Sequence, residues 1–558
     1  MNDIVQIISF ILRIITPIAG IAIAVICFFS LRYGRREKRA LIALDDTHNN
    51  VRYPVLYWEN SIGRSKSSDI IIPDLTVSRE HAVLLRRDDG WYITDTGSKA
   101  GVFVNDEQTS GRHPVYVGDR ITLGTTVLTL HRADDPTEAN VRQKMIPPKT
   151  HSTLPGALLV SLLTVYILML GIQGMLNMGS LVILPNVLIF IGLSWLFMIL
   201  TRVIFKRRNF ELDTLALLLC GSGAVLAAVH DTRQGYVQLV SILLGYVVYC
   251  FMLWFIEIPD RVTKWRIIIY ILAVGMLAST LIIGSTVNGA KNWIVIGPLM
   301  IQPSELAKIA YIFVGAATLD QLQTKKNLLG FILLSGACIV LLFLMSDFGT
   351  ALIFFVTFLI IAFMRSGSFK TIIFAVTAAV LGVVVILTIK PYIANRFMAW
   401  GHVWEYADSL GYQQVNSFIY SASGGLFGTG LSNGNLQYLF ASENDLVFGL
   451  VSEEMGLISA LFFAAVIGGF MIYAKGVSTR SRSTFYSISA CTAGGLLVFQ
   501  SMLNIFGVTD ILPLTGVTLP FISYGGSSMI SCWGLLAFIK AADERTYHRP
   551  EKPAPKEE

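Results

Sequence analysis

Long apolar runs dominate the chain, and short polar stretches separate them. Residues 4–31 form the first run, which no small-residue cleavage site follows, so we predict an uncleaved transmembrane anchor. A helix needs about 20 apolar residues to cross a bilayer. Later runs of comparable length predict twelve further spanning helices, at residues 154–176, 181–205, 212–229, 236–257, 265–284, 302–320, 328–345, 349–364, 371–390, 446–474, 484–506 and 525–541.

One segment near the N-terminus follows a different pattern. Residues 50–132 contain short alternating stretches such as Ala82–Leu85, Trp91–Thr94 and Ile121–Leu123, separated by Gly, Asp and Asn turns. Short strands at this spacing are typical of a small β-sandwich. We therefore predict a polytopic α-helical membrane protein with an inserted all-β domain. Residues 133–153 are predicted to be a linker, and residues 542–558 a disordered tail.

Composition and charge agree with a membrane protein. Of 558 residues, 54% are hydrophobic and 14% are charged, whereas soluble domains carry about a quarter charged residues. The net charge of +6 comes from basic clusters between the apolar runs, as at residues 32–39 and 206–208. Such clusters mark the cytoplasmic face, so nucleic acid is not predicted as a partner. The β-domain and the C-terminus are expected in the cytoplasm, and the polar loop 391–445 outside.

Metal and disulfide chemistry have little support in the sequence. Six cysteines all lie within apolar runs, and none has a metal-ligand spacing. We predict no metal site and no certain cofactor; a divalent cation is the one that stays open.

Three ordered motifs in the β-segment resemble the forkhead-associated (FHA) domain: Gly63–Ile70, Val77–Ala82 and Asp95–Asn105. The resemblance implies binding of phosphothreonine peptides. Arg64, Ser78 and Arg79 are then the predicted phosphate ligands, because a guanidinium and a hydroxyl donate well to a phosphate dianion. Ala100 stands where the family usually has asparagine. An FHA fold that serves only as a docking platform is the alternative.

Five motifs in the second half precede or open the predicted helices: Gly289–Ile294, Gln302–Lys308, Gly411–Ser417, Glu443–Gly456 and Gly516–Ser528. In this order they resemble the SEDS family (shape, elongation, division and sporulation), the FtsW/RodA/SpoVE-type peptidoglycan polymerases. The resemblance implies a SEDS core of ten helices within residues 206–541. About three helices, the anchor at 1–32 and two at 154–205, are extra.

The resemblance further implies glycosyl transfer from lipid II on the outer membrane face. Asp445 matches the catalytic aspartate of the family, and a carboxylate suits the general base that such a transfer needs. The predicted substrate-binding residues are Arg233, Lys291, Glu305, Lys308, Arg396, Gln413, Ser417, Glu453 and Ser523. Predicted partners are lipid II, a class B penicillin-binding protein, and a phosphothreonine protein or Ser/Thr kinase.

Other interpretations fit parts of the same pattern. Many helices with buried charges also suit a lipid II flippase, and a non-catalytic scaffold of the wall-synthesis complex is the third hypothesis. Asp445 alone could cap its helix, and Glu305 and Lys308, three residues apart, could form a structural ion pair.

Overall fold

The computed structural model describes most of the chain. The described residues are 2–33, 42–132 with breaks at 47, 50, 56–58, 66–67, 88–89 and 110, 154–203, 209–287, 290–296, 299–320, 325–366, 373, 376–377, 398–478, 481 and 484–543. The predicted linker 133–153, most of the predicted helix 371–390, Arg396, and all but two residues of the predicted tail lie outside these ranges.

The N-terminal β-segment is a sandwich of two sheets. Its strands are β1 Ile42–Asp46, β2 Val51–Val55, β3 Glu59–Gly63, β4 Ile70–Ile71, β5 Ala82–Arg87, β6 Gly90–Asp95, β7 Val102–Val104, β8 Glu107–Gln108, β9 Arg112–Val115, β10 Arg120–Leu123 and β11 Thr126–Arg132. One sheet has the order β2-β1-β11-β10-β7-β8 and the other β4-β3-β5-β6-β9. Alternate apolar side chains, such as Leu44, Leu84 and Leu128, fill the core between them.

The rest of the described chain is mainly helical. The helices are α1 Asn2–Tyr33, α2 Gly156–Met178, α3 Leu184–Val203, α4 Glu211–His230, α5 Thr232–Phe255, α6 Pro259–Ile283, α7 Pro303–Asp320, α8 Lys325–Leu344, α9 Phe348–Ser366, α10 Tyr412–Ser423, α11 Val447–Glu454, α12 Leu457–Ser478, α13 Thr484–Val508 and α14 Gly526–Ala542. Among the described residues, 8 helices are long and apolar enough to cross a membrane. They are α1–α6, α12 and α13, so the protein is a multi-pass membrane protein.

The predicted helix 446–474 is wrong as a single element. The chain forms the short helix α11, breaks at Met455 and Gly456, and starts again as α12. Gly456 has φ +88°, and a Cβ there would lie 2.3 Å from the carbonyl oxygen of Leu426. The break therefore follows from a close approach of a distant loop, which hydropathy cannot register.

A small sheet between α6 and α7 was not predicted. Strands β12 Ser285–Val287, β13 Ala290–Ile296 and β14 Leu299–Ile301 pair antiparallel in the order β12-β13-β14. The segment carries the Gly289–Ile294 motif, which thus lies partly on a strand beside the start of α7.

Helix α4 is the centre of the helical core, because every residue from Glu211 to Val229 is buried. Its N-terminal end is fixed by a buried ion pair, in which Lys540 of α14 lies 2.7 Å from Asp213. The opposite end of α4 leads to His230 and to the motifs described next. One end of this buried helix thus lies next to the candidate site.

Candidate active site

Asp445 lies directly before α11, at the junction that the sequence predicts. Its side chain is half-buried, and one carboxylate oxygen is 3.4 Å from the position that a Cβ on Gly516 would take. Asn504 of α13 holds the backbone, since its Nδ2 donates to the carbonyl of Asp445 at 2.9 Å and to that of Val517 at 2.7 Å. The N-cap position of α11 belongs to Leu446, so the geometry does not favour a capping role for Asp445.

A second loop, residues 516–525, is attached to the segment that carries Asp445. Ser523 Oγ donates to the carbonyl of Asn444 at 2.8 Å and accepts from the N–H of Leu519. The N–H of Tyr524 donates to the carbonyl of Glu443 at 2.9 Å. Ser523, predicted to bind substrate, therefore joins the two loops around Asp445.

Next to the segment that carries Asp445, the imidazole of His230 lies between the carboxylates of Glu454 and Glu443. His230 Nε2 is 2.7 Å from Glu454 Oε1, and His230 Nδ1 is 3.3 Å from Glu443 Oε1 without hydrogen-bond alignment. The amide nitrogen of Gln234, in the orientation that satisfies both groups, also donates to Glu443. This network links the end of α4 to the residues on both sides of Asp445.

Glu453 holds a loop rather than facing solvent. Its side chain is fully buried, and its two oxygens accept from the N–H groups of Asn435 and Leu436 at 2.7 and 2.8 Å. Because both oxygens bind backbone groups of the protein, the geometry does not support the predicted contact with substrate.

Glu305 and Lys308 form the ion pair that their spacing predicts. Lys308 Nζ lies 2.7 Å from Glu305 Oε2 and donates to Gln500 Oε1 at 3.0 Å. Gln500 in turn donates to the carbonyl of Thr518. Since Lys308 is only 1% exposed, these residues fix α7 against α13 and the 516–525 loop instead of reaching a substrate directly.

The other predicted cations differ in placement. Arg233 is exposed in the first turn of α5. Burial raises the pKa of Tyr524, and the carboxylates of Glu443 and Asp231 raise it further, while Arg233 opposes them, so these groups lie together. Lys291 donates to the carbonyl of Ile282 at 3.1 Å, on the β12–β14 sheet.

An apolar cavity of about 340 Å³ opens beside α11. Its lining includes the apolar side chains of Phe418, Leu426, Phe448 and Val508, together with Ser417. Among the described residues, the buried Ser417 Oγ has no hydrogen-bond partner. Gln413, one turn earlier on α10, donates to the carbonyl of Phe440.

The three FHA motifs meet at one end of the sandwich. Buried His81 joins them: its Nδ1 accepts from the N–H of Ser78 at 3.1 Å, and its Nε2 lies 3.0 Å from the carbonyl of Gly101. Ser78 Oγ accepts from the N–H of Lys99. Arg64 and Arg79 are both exposed, beside the loop that carries Ser78. The N–H of Arg64 donates to the carbonyl of Ser78.

Among the described residues, no group of three or more His, Cys, Asp or Glu side chains is arranged to hold a metal ion.

Comparison with known proteins identifies both parts of the chain. Residues 210–548, more than half of it, match the FtsW/RodA/SpoVE family, described as "Cell cycle protein". The chain belongs to the FtsW/RodA/SpoVE family. Residues 60–124 match the FHA domain. The SEDS-type helical core and the FHA sandwich are therefore both present.

Relatives of this FtsW/RodA/SpoVE chain share about a third of its residues over the family segment. "Probable peptidoglycan glycosyltransferase FtsW" of Buchnera aphidicola subsp. Acyrthosiphon pisum is 32% identical over 298 residues, which cover 51% of this chain and 75% of that protein. Its counterpart in Wigglesworthia glossinidia brevipalpis is 30% identical over 346 residues, 60% and 91% of the two chains. The Bacillus subtilis (strain 168) protein of the same name is 28% identical over 386 residues, 62% and 95%.

A solved structure shares the fold of this FtsW/RodA/SpoVE chain. It is a chain of "Structural coordination of polymerization and crosslinking by a peptidoglycan synthase complex", with a TM-score of 0.51 and 24% identity, covering 59% of this chain and 96% of that one.

Several interacting side chains were not predicted, namely His230, Gln500, Asn504 and, on the two N-terminal helices, Arg13 and Asn177. A charged side chain within an apolar run was the available signal for Arg13, since such residues are costly in a membrane. For His230 and the amides, only the three-dimensional structure shows the partners.

Proposed function

We propose that this chain is a membrane peptidoglycan glycosyltransferase that joins lipid II-linked disaccharide units into glycan, with Asp445 as its general base. The observation that carries the proposal is the half-buried side chain of Asp445 at the meeting of two loops, where Asn504 and Ser523 hold the backbone carbonyls of Asp445 and Asn444. The names of the relatives support glycosyl transfer over lipid transport or a scaffold role.

The reaction joins an acceptor hydroxyl to the anomeric carbon of a donor. Asp445 takes the hydroxyl proton as the oxygen attacks, the bond from the anomeric carbon to the pyrophosphate oxygen breaks, and the pyrophosphate leaves with the electron pair. Because the leaving group is already a good one, a single carboxylate suffices, in contrast to the two of a glycosidase. A well-placed base contributes about 10²–10⁴-fold to such a rate.

Charge on the departing pyrophosphate calls for cations near the site. Arg233 suits this role, since it is exposed and lies near Tyr524 and Glu443. Lys308 does not, because its ammonium is buried against Glu305 and Gln500. A divalent cation would add to this neutralisation. The cavity beside α11 offers an apolar surface for a polyprenyl chain, with Ser417 at its wall.

The FHA domain adds a regulatory input to this enzyme. Arg64, Ser78 and Arg79 form a donor group for phosphothreonine, and His81 holds their loops together. The ligand is a phosphothreonine protein or Ser/Thr kinase. The FHA domain therefore lies in the cytoplasm. Asp445 lies on the outer face of the membrane. A class B penicillin-binding protein is the transpeptidase partner.

The decisive experiment gives labelled lipid II to purified protein in liposomes, with and without a class B penicillin-binding protein. Asp445→Asn should lower the rate of glycan formation by about 10²–10⁴-fold, because it removes the base. Asn keeps nearly the same shape and polarity, which limits any structural effect.

Asp408→Asn is the matched control, since Asp408 is an exposed acid in the segment before α10. It should polymerise at the wild-type rate. Glycan ladders that persist in Asp445→Asn would disprove the assignment of the base, and translocation of lipid II without polymer would indicate a transporter.

A further inference from the structure

An arginine lies inside the apolar anchor helix α1, ten residues or more from either end. Arg13 is half-buried, and its neighbours in the sequence are apolar residues such as Ile11 and Ile14. A guanidinium in a spanning helix costs several kcal/mol unless it is paired, so such a residue is retained for a function. The contacts of Arg13 therefore indicate its function.

Arg13 reaches the glycine-rich loop at residues 424–434, which we call the brace loop. Its Nη1 donates to the carbonyl of Gly428 at 3.2 Å. Asn177, at the end of α2, donates from Nδ2 to the carbonyl of Leu431 at 2.9 Å and accepts from Ser9 of α1 at 2.6 Å. A Cβ on Gly430 would lie 2.7 Å from both Arg13 Nη2 and Asn177 Nδ2, so the two side chains close around that glycine.

The brace loop is attached to the network behind Asp445. The N–H groups of Thr429 and Gly430 donate to the carbonyls of Glu453 and Glu454 at 2.8 and 3.0 Å. The N–H of Ser432 donates to the Glu454 carboxylate at 3.1 Å. Glu454 contacts His230, which contacts Glu443, two residues before Asp445. A series of polar contacts thus leads from α1 through the brace loop to Glu443, two residues before the candidate base.

Helices α1 and α2 lie outside residues 210–548, which match the FtsW/RodA/SpoVE family. We infer that Arg13 and Asn177 are positioning residues: these two added helices hold the brace loop, and through Glu454 and His230 they set the position of Asp445. The inference rests on the proposed glycosyltransferase function. It assigns a role to the N-terminal helices that flank the FHA domain.

The test measures steady-state polymerisation of labelled lipid II by the full chain in liposomes. Arg13→Met and Asn177→Leu remove the hydrogen bonds that α1 and α2 donate to the brace loop. Each should lower kcat about 10-fold or more with little change in KM, because a small displacement of a catalytic group costs rate rather than binding. Hydrogen exchange of the amides at 429–432 should become faster in both variants. Arg13→Lys, which keeps a donor, should recover most of kcat.

Thr16→Val is the control on the same helix, since Thr16 Oγ1 donates to the carbonyl of Leu12, one turn earlier on α1. It should leave kcat and brace-loop exchange unchanged. A thermal melt of each variant gives the folded fraction, and kcat is expressed per folded enzyme. If Arg13→Met and Asn177→Leu then match the wild type, or if Arg13→Lys is as slow as Arg13→Met, the inference is wrong. A wild type that makes no glycan, or an active Asp445→Asn, instead contradicts the proposed function.

Discussion

Single glycines in the brace loop are required by protein contacts. A Cβ on Gly428 would lie 2.2 Å from the carbonyl oxygen of Glu454, and one on Gly424 would lie 2.3 Å from that of Ser452. Gly430 meets Arg13 and Asn177 in the same way, and its φ is +101°. These glycines let the loop approach α11 and the N-terminal helices closely, because they have no side chain. The close approach stabilises the segments around Asp445.

Replacing Gly430 and Gly425 by Ala distinguishes the effect of steric contact on stability from the effect of the backbone conformation. Gly430→Ala should destabilise the protein by about 2 kcal/mol or more, because a methyl group overlaps two polar side chains at an unfavourable φ. Gly425→Ala is the matched control: Gly425 also has positive φ, +56°, but nothing lies within 4 Å of its Cβ position. It should cost only about 1 kcal/mol. Thermal unfolding in detergent measures both, and equal shifts would show that the contacts with Arg13 and Asn177 carry no weight.

Among the elements, the FHA sandwich contains one aspartate that ties its loops together. Asp74 accepts from the N–H of Thr76 at 2.8 Å, and from the hydroxyls of Thr125 and Thr126 at 2.7 Å each. These hydrogen bonds, first of all the one from the Thr76 backbone, hold the pKa of Asp74 well below its usual value. The turn before β11 is thereby joined to the segment before the second FHA motif.

The lowered pKa of Asp74 predicts a pH dependence of the sandwich. A depressed folded-state pKa gives stability that is present above the unfolded pKa of about 3.9 and is lost as the pH falls through the folded value. Protection of the sandwich amides from hydrogen exchange should therefore decrease between about pH 5 and pH 3. Asp74→Asn should reduce this pH dependence. Asp106→Asn, at a mostly exposed carboxylate, should keep it, and an unchanged profile in Asp74→Asn would contradict the prediction.

Small residues and a few buried polar groups contribute to the contacts between helix pairs. Gly245 of α5 packs against Trp533 of α14, where a Cβ would lie 2.5 Å from the indole ring. Such close contacts are typical of membrane helices, since lipid offers no hydrophobic force to drive association. The buried ion pair Lys540–Asp213 joins α14 to α4, and the hydrogen bond from Lys308 to Gln500 joins α7 to α13.

For the whole molecule, the order of the elements connects regulation to catalysis. The FHA domain is inserted between α1 and α2, the two helices that hold the brace loop. A ligand on the sandwich therefore acts on a domain whose two chain connections lead to Arg13 and Asn177. We therefore predict a physical route from the FHA domain through α1 and α2 to the brace loop.

Phosphothreonine binding is the whole-molecule prediction. The full chain should bind a phosphothreonine peptide library in preference to its unphosphorylated form. Arg64→Ala should weaken this binding about 10-fold or more, because loss of a charge-assisted hydrogen bond costs about 1.5–3 kcal/mol. Arg120→Ala, an exposed arginine outside the three motifs, should bind as the wild type does. A wild type without preference for the phosphorylated peptides would favour the docking platform.

Binding measurements can be paired with polymerisation in the same liposomes. If the route through α1 and α2 operates, the phosphothreonine peptide changes the polymerisation rate of the wild type and has no such effect in Arg64→Ala.

The sequence by itself determined the class of the protein, most of its helices, the β-sandwich and the motif that contains Asp445. These features are local: hydropathy runs, strand alternation and residue order are written in consecutive positions. The tertiary structure decided the rest. Glu453 binds a loop 17 residues away in the chain, His230 meets Glu454 across 224 residues, and Arg13 meets Gly428 across 415. Such contacts depend on which helices pack together. Packing brings residues that are distant in the sequence close to each other, and no pattern of consecutive residues predicts which ones meet.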